Sequence, residues 1–214
     1  MDAERRQLPR ETADLTLRTD GDNQRFAGYA AVFNSRTAIG NPLRWGFYEE
    51  IAPGAFSATV TDDDQRMLID HDSYYVVSRV SAGTLRLSQD ARGLAVESDL
   101  DTGLSYVQDL RTNLGNGNIT GMSFGFRVRS DTWSTVQVET TDGQTVDAEL
   151  RVITDAQVLE VSAVTFPAYE ETEAGLRSLR EARGRGRPEP TSPPQSLTTA
   201  LRMRVLAARY RLPA

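Results

Sequence analysis

Three residues define the chemistry open to this chain: a serine flanked by glycines, the only histidine, and a carboxylate set among apolar residues. Ser123 lies in GMSFGF (121–126). Alternate side chains of a strand point to opposite faces. Met122, Phe124 and Phe126 therefore share one face, and Ser123 stands on the other between Gly121 and Gly125. A hydroxyl between two residues without side chains leaves room for another chain to approach the backbone, as a peptide-cleaving nucleophile requires. The same pattern suits a polar outer face with small residues at a bulge. His71, in MLIDHD (67–72), is the one imidazole able to move protons near neutral pH. If its segment is extended, the flanking Asp70 and Asp72 point away from its face, and a lone histidine also suits a surface or structural role. Glu160 lies in LEVSAVTFPAY (159–169), where alternation groups it with Val158, Ser162 and Val164, opposite Leu159, Val161 and Ala163. A carboxylate on so apolar a face needs a partner, because burying it alone is expensive. An arginine or His71 can supply one.

Composition narrows the choice. The 214 residues include no Cys and no Lys, and 24 Arg stand against 30 acidic residues, for a net charge of -6. No Cys excludes thiol nucleophiles, disulfides and zinc–thiolate sites and favours a reducing compartment. No Lys excludes a Schiff base, a Walker A loop and a Ser–Lys dyad. One His builds no multi-histidine metal site, and nothing implies a cofactor. The charge is uneven: residues 1–176 carry -13 and residues 177–214 carry +7. No apolar run reaches the ~18–20 residues of a membrane span, and the N-terminus lacks the apolar stretch of a signal peptide. The chain reads as soluble and unexported.

The elements that must position these residues are mostly strands. Short alternating segments separated by Gly, Asn and Asp clusters predict strands over Ala13–Arg18, Phe26–Phe33, Arg66–His71, Thr84–Leu87, Leu94–Leu100, Ile119–Val128, Leu150–Ile153 and Val158–Phe166. Helices are predicted from Pro53 to Val60, with the proline in the first turn, and over Gly103–Leu114. The second has Thr102 as N-cap, a stripe of Leu104, Val107, Leu110 and Leu114, and Gly115 as its stop. A third is expected over Glu171–Glu181. The chain divides into a domain over 1–182, a flexible Arg/Gly/Pro linker over 183–195 and a basic amphipathic helix over 196–214.

Six segments stand in one order and spacing: GYAAVFN (28–34), FYEEIAPGAF (47–56), DHD (70–72), DARGLAVESDL (90–100), GMSFGF and LEVSAVTFPAY. Together they resemble the prohead maturation proteases of tailed bacteriophages, relatives of the herpesvirus assemblins. The resemblance implies a mainly β (α+β) fold with peripheral helices, a closed or partly closed β-barrel, and serine endopeptidase activity. It places the family's histidine on His71 and its serine on Ser123. The assemblins complete their triad with a second histidine, which this chain lacks, so the third role falls to Glu160, with Asp70 and Asp72 as fallbacks. Oxyanion donors would be backbone N–H groups near Phe124–Gly125 or in 167–170.

The implied substrate is a capsid or scaffold precursor inside an assembling prohead in the bacterial cytoplasm, with self-cleavage, and dimerisation is left open. The basic tail is expected to dock the protease on that precursor. A non-catalytic scaffold protein of the same fold is the competing reading. A nucleic-acid role is disfavoured, because the acidic body repels phosphates.

Overall fold

The computed structural model describes residues 3–20, 23–165, 179–181 and 183–184. Among these the mainly β class predicted from sequence is found, in eleven strands and three short helices. The backbone of the fold is a long antiparallel hairpin, β10 (Gly121–Glu139) and β11 (Thr145–Val164). Three predicted segments thus merge into two strands. The outer half of β10, from Arg129, is mostly exposed and mostly polar, with Trp133, Val136 and Val138 its only large apolar side chains, so it shows little apolar alternation to read.

One sheet runs β1 (Glu4–Pro9), β10, β11, β5 (Phe47–Ile51) and β4 (Thr37–Ile39). Farther along β11 the same edge takes β6 (Arg66–Ile69), which pairs with β7 (Asp72–Arg79). A second sheet orders β2 (Thr16–Asp20), β3 (Asn23–Val32), β9 (Gly93–Leu100) and β8 (Leu85–Gln89). Both sheets contribute to one apolar core: Phe26, Ala30, Leu94 and Val96 from one, Met122, Phe124, Phe126, Val161 and Ala163 from the other. The core face of GMSFGF is therefore the one its alternation predicts. Among the described residues the strand pairing leaves edges at β1, β4, β7, β2 and β8, and no closed barrel is found.

The short chain α1 (Arg10–Ala13) links the first two strands where a strand from Ala13 was expected. Pro53–Gly54 makes a turn instead of opening a helix. Ala55 N–H donates to Ala52 O and Gly54 takes φ +89°, the left-handed position such a turn requires. The helix that follows, α2 (Ser57–Asp62), is correspondingly shorter and later. In α3 (Ser105–Gly115) the predicted stripe of Val107, Leu110 and Leu114 is buried, but Leu104 sits at the N-cap and no side chain caps the helix. Its stop is Gly117, left-handed at φ +75°, whereas Gly115 remains helical. Residues 179–181 and 183–184 are helical; Leu179 is buried with Ile39 and Phe47, and Arg183 pairs with Glu149 at 3.0 Å. The rest of the expected linker, most of the helix over 171–181 and all of the helix over 196–214 lie outside the described residues.

Candidate active site

β6 runs parallel to β11 in the register Glu160↔Arg66 through Ala163↔Ile69. It then reverses into β7 through two residues, Asp70 and His71, since Ile69 pairs with Asp72. Both turn residues are left-handed, at φ +48° and +61°. A two-residue hairpin turn of this hand matches the strand twist but demands positive φ, which Asp and His tolerate better than most side chains. The segment around His71 is therefore a tight turn, not the extended stretch considered above.

That turn is bolted to β11. Asp70 N–H donates to Ala163 O at 3.0 Å, and its carboxylate accepts from Thr165 N at 2.9 Å and Thr165 Oγ1 at 3.0 Å. His71 N–H donates to Ser162 Oγ at 3.2 Å. The His71 ring, nearly buried, places Nδ1 2.7 Å from Glu160 Oε1. A carboxylate only accepts, so the hydrogen of this contact sits on Nδ1, and in the neutral ring Nε2 is then the nitrogen that carries the lone pair. Nε2 is buried and has no hydrogen-bond partner among the described residues. Of the carboxylates weighed as its orienting group, Glu160 meets the ring. Asp70 is committed to Thr165, and Asp72 accepts from Tyr74 N at 2.9 Å.

A bulge aims Glu160. Gly125 pairs with Glu160 and Phe126 with Val158, which leaves Leu159 as the extra residue. Simple alternation put Val158 on the face of Glu160; the bulge instead returns Val158 to the core beside Phe126 and keeps Glu160 on the opposite face. There the carboxylate lies over Gly125: a Cβ at that position would stand 2.5 Å from Glu160 Oε1. Ser123, two residues away on the same face, pairs across the hairpin with Ser162. Ser123 and Glu160 thus share one face of one sheet, and the His71 ring meets Glu160 there.

Ser123 itself is fully buried, and its hydroxyl donates to Arg6 O at 3.0 Å. The space beside it is already used. β1 pairs along β10 with Gln7 opposite Ser123, and a Cβ on Gly121 would stand 2.4 Å from Leu8 O. Of the two glycines read as leaving room for another chain, Gly121 admits the protein's own first strand and Gly125 admits a carboxylate. Phe124 and Gly125 have pairing partners on both sides, so their amides belong to the sheet and form no ready oxyanion hole. Residues 167–170 lie outside the described residues.

Two features escaped the sequence reading. Ser162 bridges the site: its hydroxyl donates to Glu160 Oε2 at 2.6 Å while accepting from His71 N–H. Its only sequence signal was a shared strand face with Glu160. The second is a buried ionic cluster that clamps β1 to the sheet. Arg6 Nε lies 2.5 Å from Glu49 Oε1 and Arg6 Nη2 2.7 Å from Glu4 Oε2; Arg151, fully buried, reaches Glu4 at 3.0 Å, Glu49 at 3.1 Å and Asp131 at 2.7 Å. Burial pushes the Glu4 carboxyl up, but Arg6 and Arg151 together outweigh it and hold the group below its ordinary range. Burial alone would lower Arg6 and Arg151; their carboxylate partners raise both. Partners drawn from four strands were invisible in a linear pattern. No cluster of three or more metal-ligating side chains occurs among the described residues, and none of their helices is long and apolar enough to cross a membrane.

Comparison with known proteins gives two matches. The caudovirus prohead serine protease family matches residues 12–184. The prohead protease of Enterobacteria phage HK97 is 28% identical over 178 residues, covering 81% of this chain and 68% of that protein. No solved structure matches.

Proposed function

The chain belongs to the caudovirus prohead serine protease family and is a serine peptidase of capsid maturation, and from that premise we propose that Ser123 is its nucleophile, His71 its general base and Glu160 the carboxylate that orients the base. The observation that carries this assignment is the 2.7 Å contact between His71 Nδ1 and Glu160 Oε1 on the sheet face that bears Ser123. It leaves Nε2 as the ring's proton acceptor, with no hydrogen-bond partner among the described residues.

The chemistry follows acyl transfer. Ser123 Oγ attacks the scissile carbonyl while His71 Nε2 takes its proton. The C–N bond then breaks as His71 returns that proton to the leaving amine, and a water repeats the sequence on the acyl-enzyme. Glu160 holds the ring in the tautomer this requires and stabilises the imidazolium formed on the way. Ser123 must exchange its present acceptor, Arg6 O, for Nε2 as substrate binds; catalytic hydrogen bonds commonly tighten only then.

The same reading carries finer parts: a barrel-like closure of the two sheets of assemblin type, cleavage of capsid or scaffold precursor within the assembling prohead in the host cytoplasm, self-cleavage, a homodimer, and docking by the basic residues 183–214. The test is co-expression with the matching capsid precursor, wild type against Ser123→Ala, read by intact mass. Trimming of precursor only when Ser123 is present is the expected result. Equal trimming in both samples, or assembled proheads with none in either, removes Ser123 from the chemistry and leaves a scaffold role for the fold.

A further inference from the structure

We infer that Ser162 is a positioning residue for the His71–Glu160 pair, a role that rests on the assignment of that pair as base and orienting carboxylate. Three observations carry it. Ser162 is fully buried on the face of β11 that carries Glu160. Its hydroxyl hydrogen goes to Glu160 Oε2 at 2.6 Å, the oxygen that His71 does not use. Its oxygen accepts the His71 backbone N–H at 3.2 Å.

One hydroxyl therefore ties the acid to the turn that carries the base. Glu160 rotates about several side-chain bonds, and a carboxylate held by a single contact swings about it. With Oε1 on the ring and Oε2 on Ser162, the carboxylate plane is determined. The contact to His71 N–H acts on the other member. Left-handed turn residues persist where surrounding contacts over-determine them, and Ser162 holds His71 as Ala163 O and Thr165 hold Asp70. The Ser162 hydroxyl is hydrogen-bonded to Glu160 and to the His71 backbone, while that of Ser123 is hydrogen-bonded to Arg6 O. Ser162 therefore acts on the reaction through Glu160 and the turn.

Ser162→Ala removes a donor to a charged group and an acceptor for a buried amide. A hydrogen bond of this kind corresponds to a loss of about 10- to 100-fold. The loss should fall on kcat, with KM unchanged, because substrate is not touched. Ser162→Thr, which keeps the hydroxyl, should recover most of the rate. In a Glu160→Gln background, Ser162→Ala should lose the part of its effect that passes through the carboxylate and keep only the part that passes through the turn. Its effect on kcat should be clearly smaller there than in wild type, whereas a merely structural role would add its full effect.

A second measurement does not depend on proteolysis. His71 is the only histidine, so 15N-histidine labelling yields one imidazole spectrum. The Nδ1 proton, held on a carboxylate, should give a slowly exchanging downfield signal in wild type and in Ser123→Ala. It should vanish in Glu160→Gln and broaden or shift upfield in Ser162→Ala. An unchanged signal in Ser162→Ala together with its loss in Glu160→Gln overturns the positioning role while leaving the pair intact. A signal absent from wild type, or indifferent to Glu160→Gln, overturns the pair itself and the inference with it.

Discussion

At the scale of single residues, the site depends on a missing side chain as much as on those present. Gly125 has no conformational need to be glycine, since its φ is not left-handed; it is needed because the Glu160 carboxylate occupies the place of its Cβ. In Gly125→Ala the added methyl meets the mobile end of a side chain, so the fold yields by displacing Glu160. The expected outcome is a fall in kcat/KM on the order of 10²-fold, the scale of a misplacement of about 1 Å, with little change in melting temperature. Cleavage assays paired with thermal unfolding check it. A large loss of stability would mean that backbone, not the carboxylate, moves.

At the scale of elements, β1 binds the molecule at the strand of Ser123 by two means. It pairs with Gly121 through Phe126 of β10, and it brings Glu4 and Arg6 into the buried cluster with Glu49 and Arg151. Removing one partner of such a cluster leaves an uncompensated buried charge, which is far more damaging than the cluster's net worth suggests. Gly121 shows the same attachment from the other side. A Cβ there meets the Leu8 carbonyl, a backbone atom that moves only if β1 unpairs. Gly121→Ala should therefore lower stability by about 1–3 kcal/mol, as overpacking does, the opposite pattern from Gly125→Ala. Equilibrium unfolding in denaturant is the measurement, and an unchanged midpoint would show that β1 is loosely held. The register also explains why β1 escaped the sequence reading: ERRQLP has charges on the face that turns inward, which looks like a solvated arm until their partners on β5 and β11 are known.

For the whole molecule, acidic groups paired with arginines set the response to pH. Glu4 is held low despite its burial, by Arg6 and Arg151; Asp64 is drawn to about 2 by its bond to Arg79, and Asp99 is lowered by Arg86. A carboxyl whose folded value lies below its unfolded one contributes stability above the unfolded value and loses it as pH falls through the folded one. The melting temperature should therefore be level down to the ordinary carboxylate range near 4.5 and decline below it. A melting temperature that rose on acidification from pH 5 to 3 would contradict the pairings.

Local pattern determined the mainly β class, the apolar face of GMSFGF and the buried stripe of α3, because each is a matter of period along one strand or helix. The candidacy of Ser123, His71 and Glu160 also follows from sequence, because the surrounding motifs resemble a family and the chain holds one histidine. Their meeting did not. His71 reaches Glu160 because a left-handed two-residue turn, docked on Ala163 and Thr165, aims it across 89 residues of chain, and because a bulge at Leu159 turns Glu160 toward Gly125. Asp70, beside His71 in sequence, is carried away by the same turn. Sequence distance says nothing of which strands become neighbours, and one extra residue in a ladder reverses every side chain beyond it. Those two facts reserved the site's geometry, and the bridging part of Ser162, to the tertiary structure.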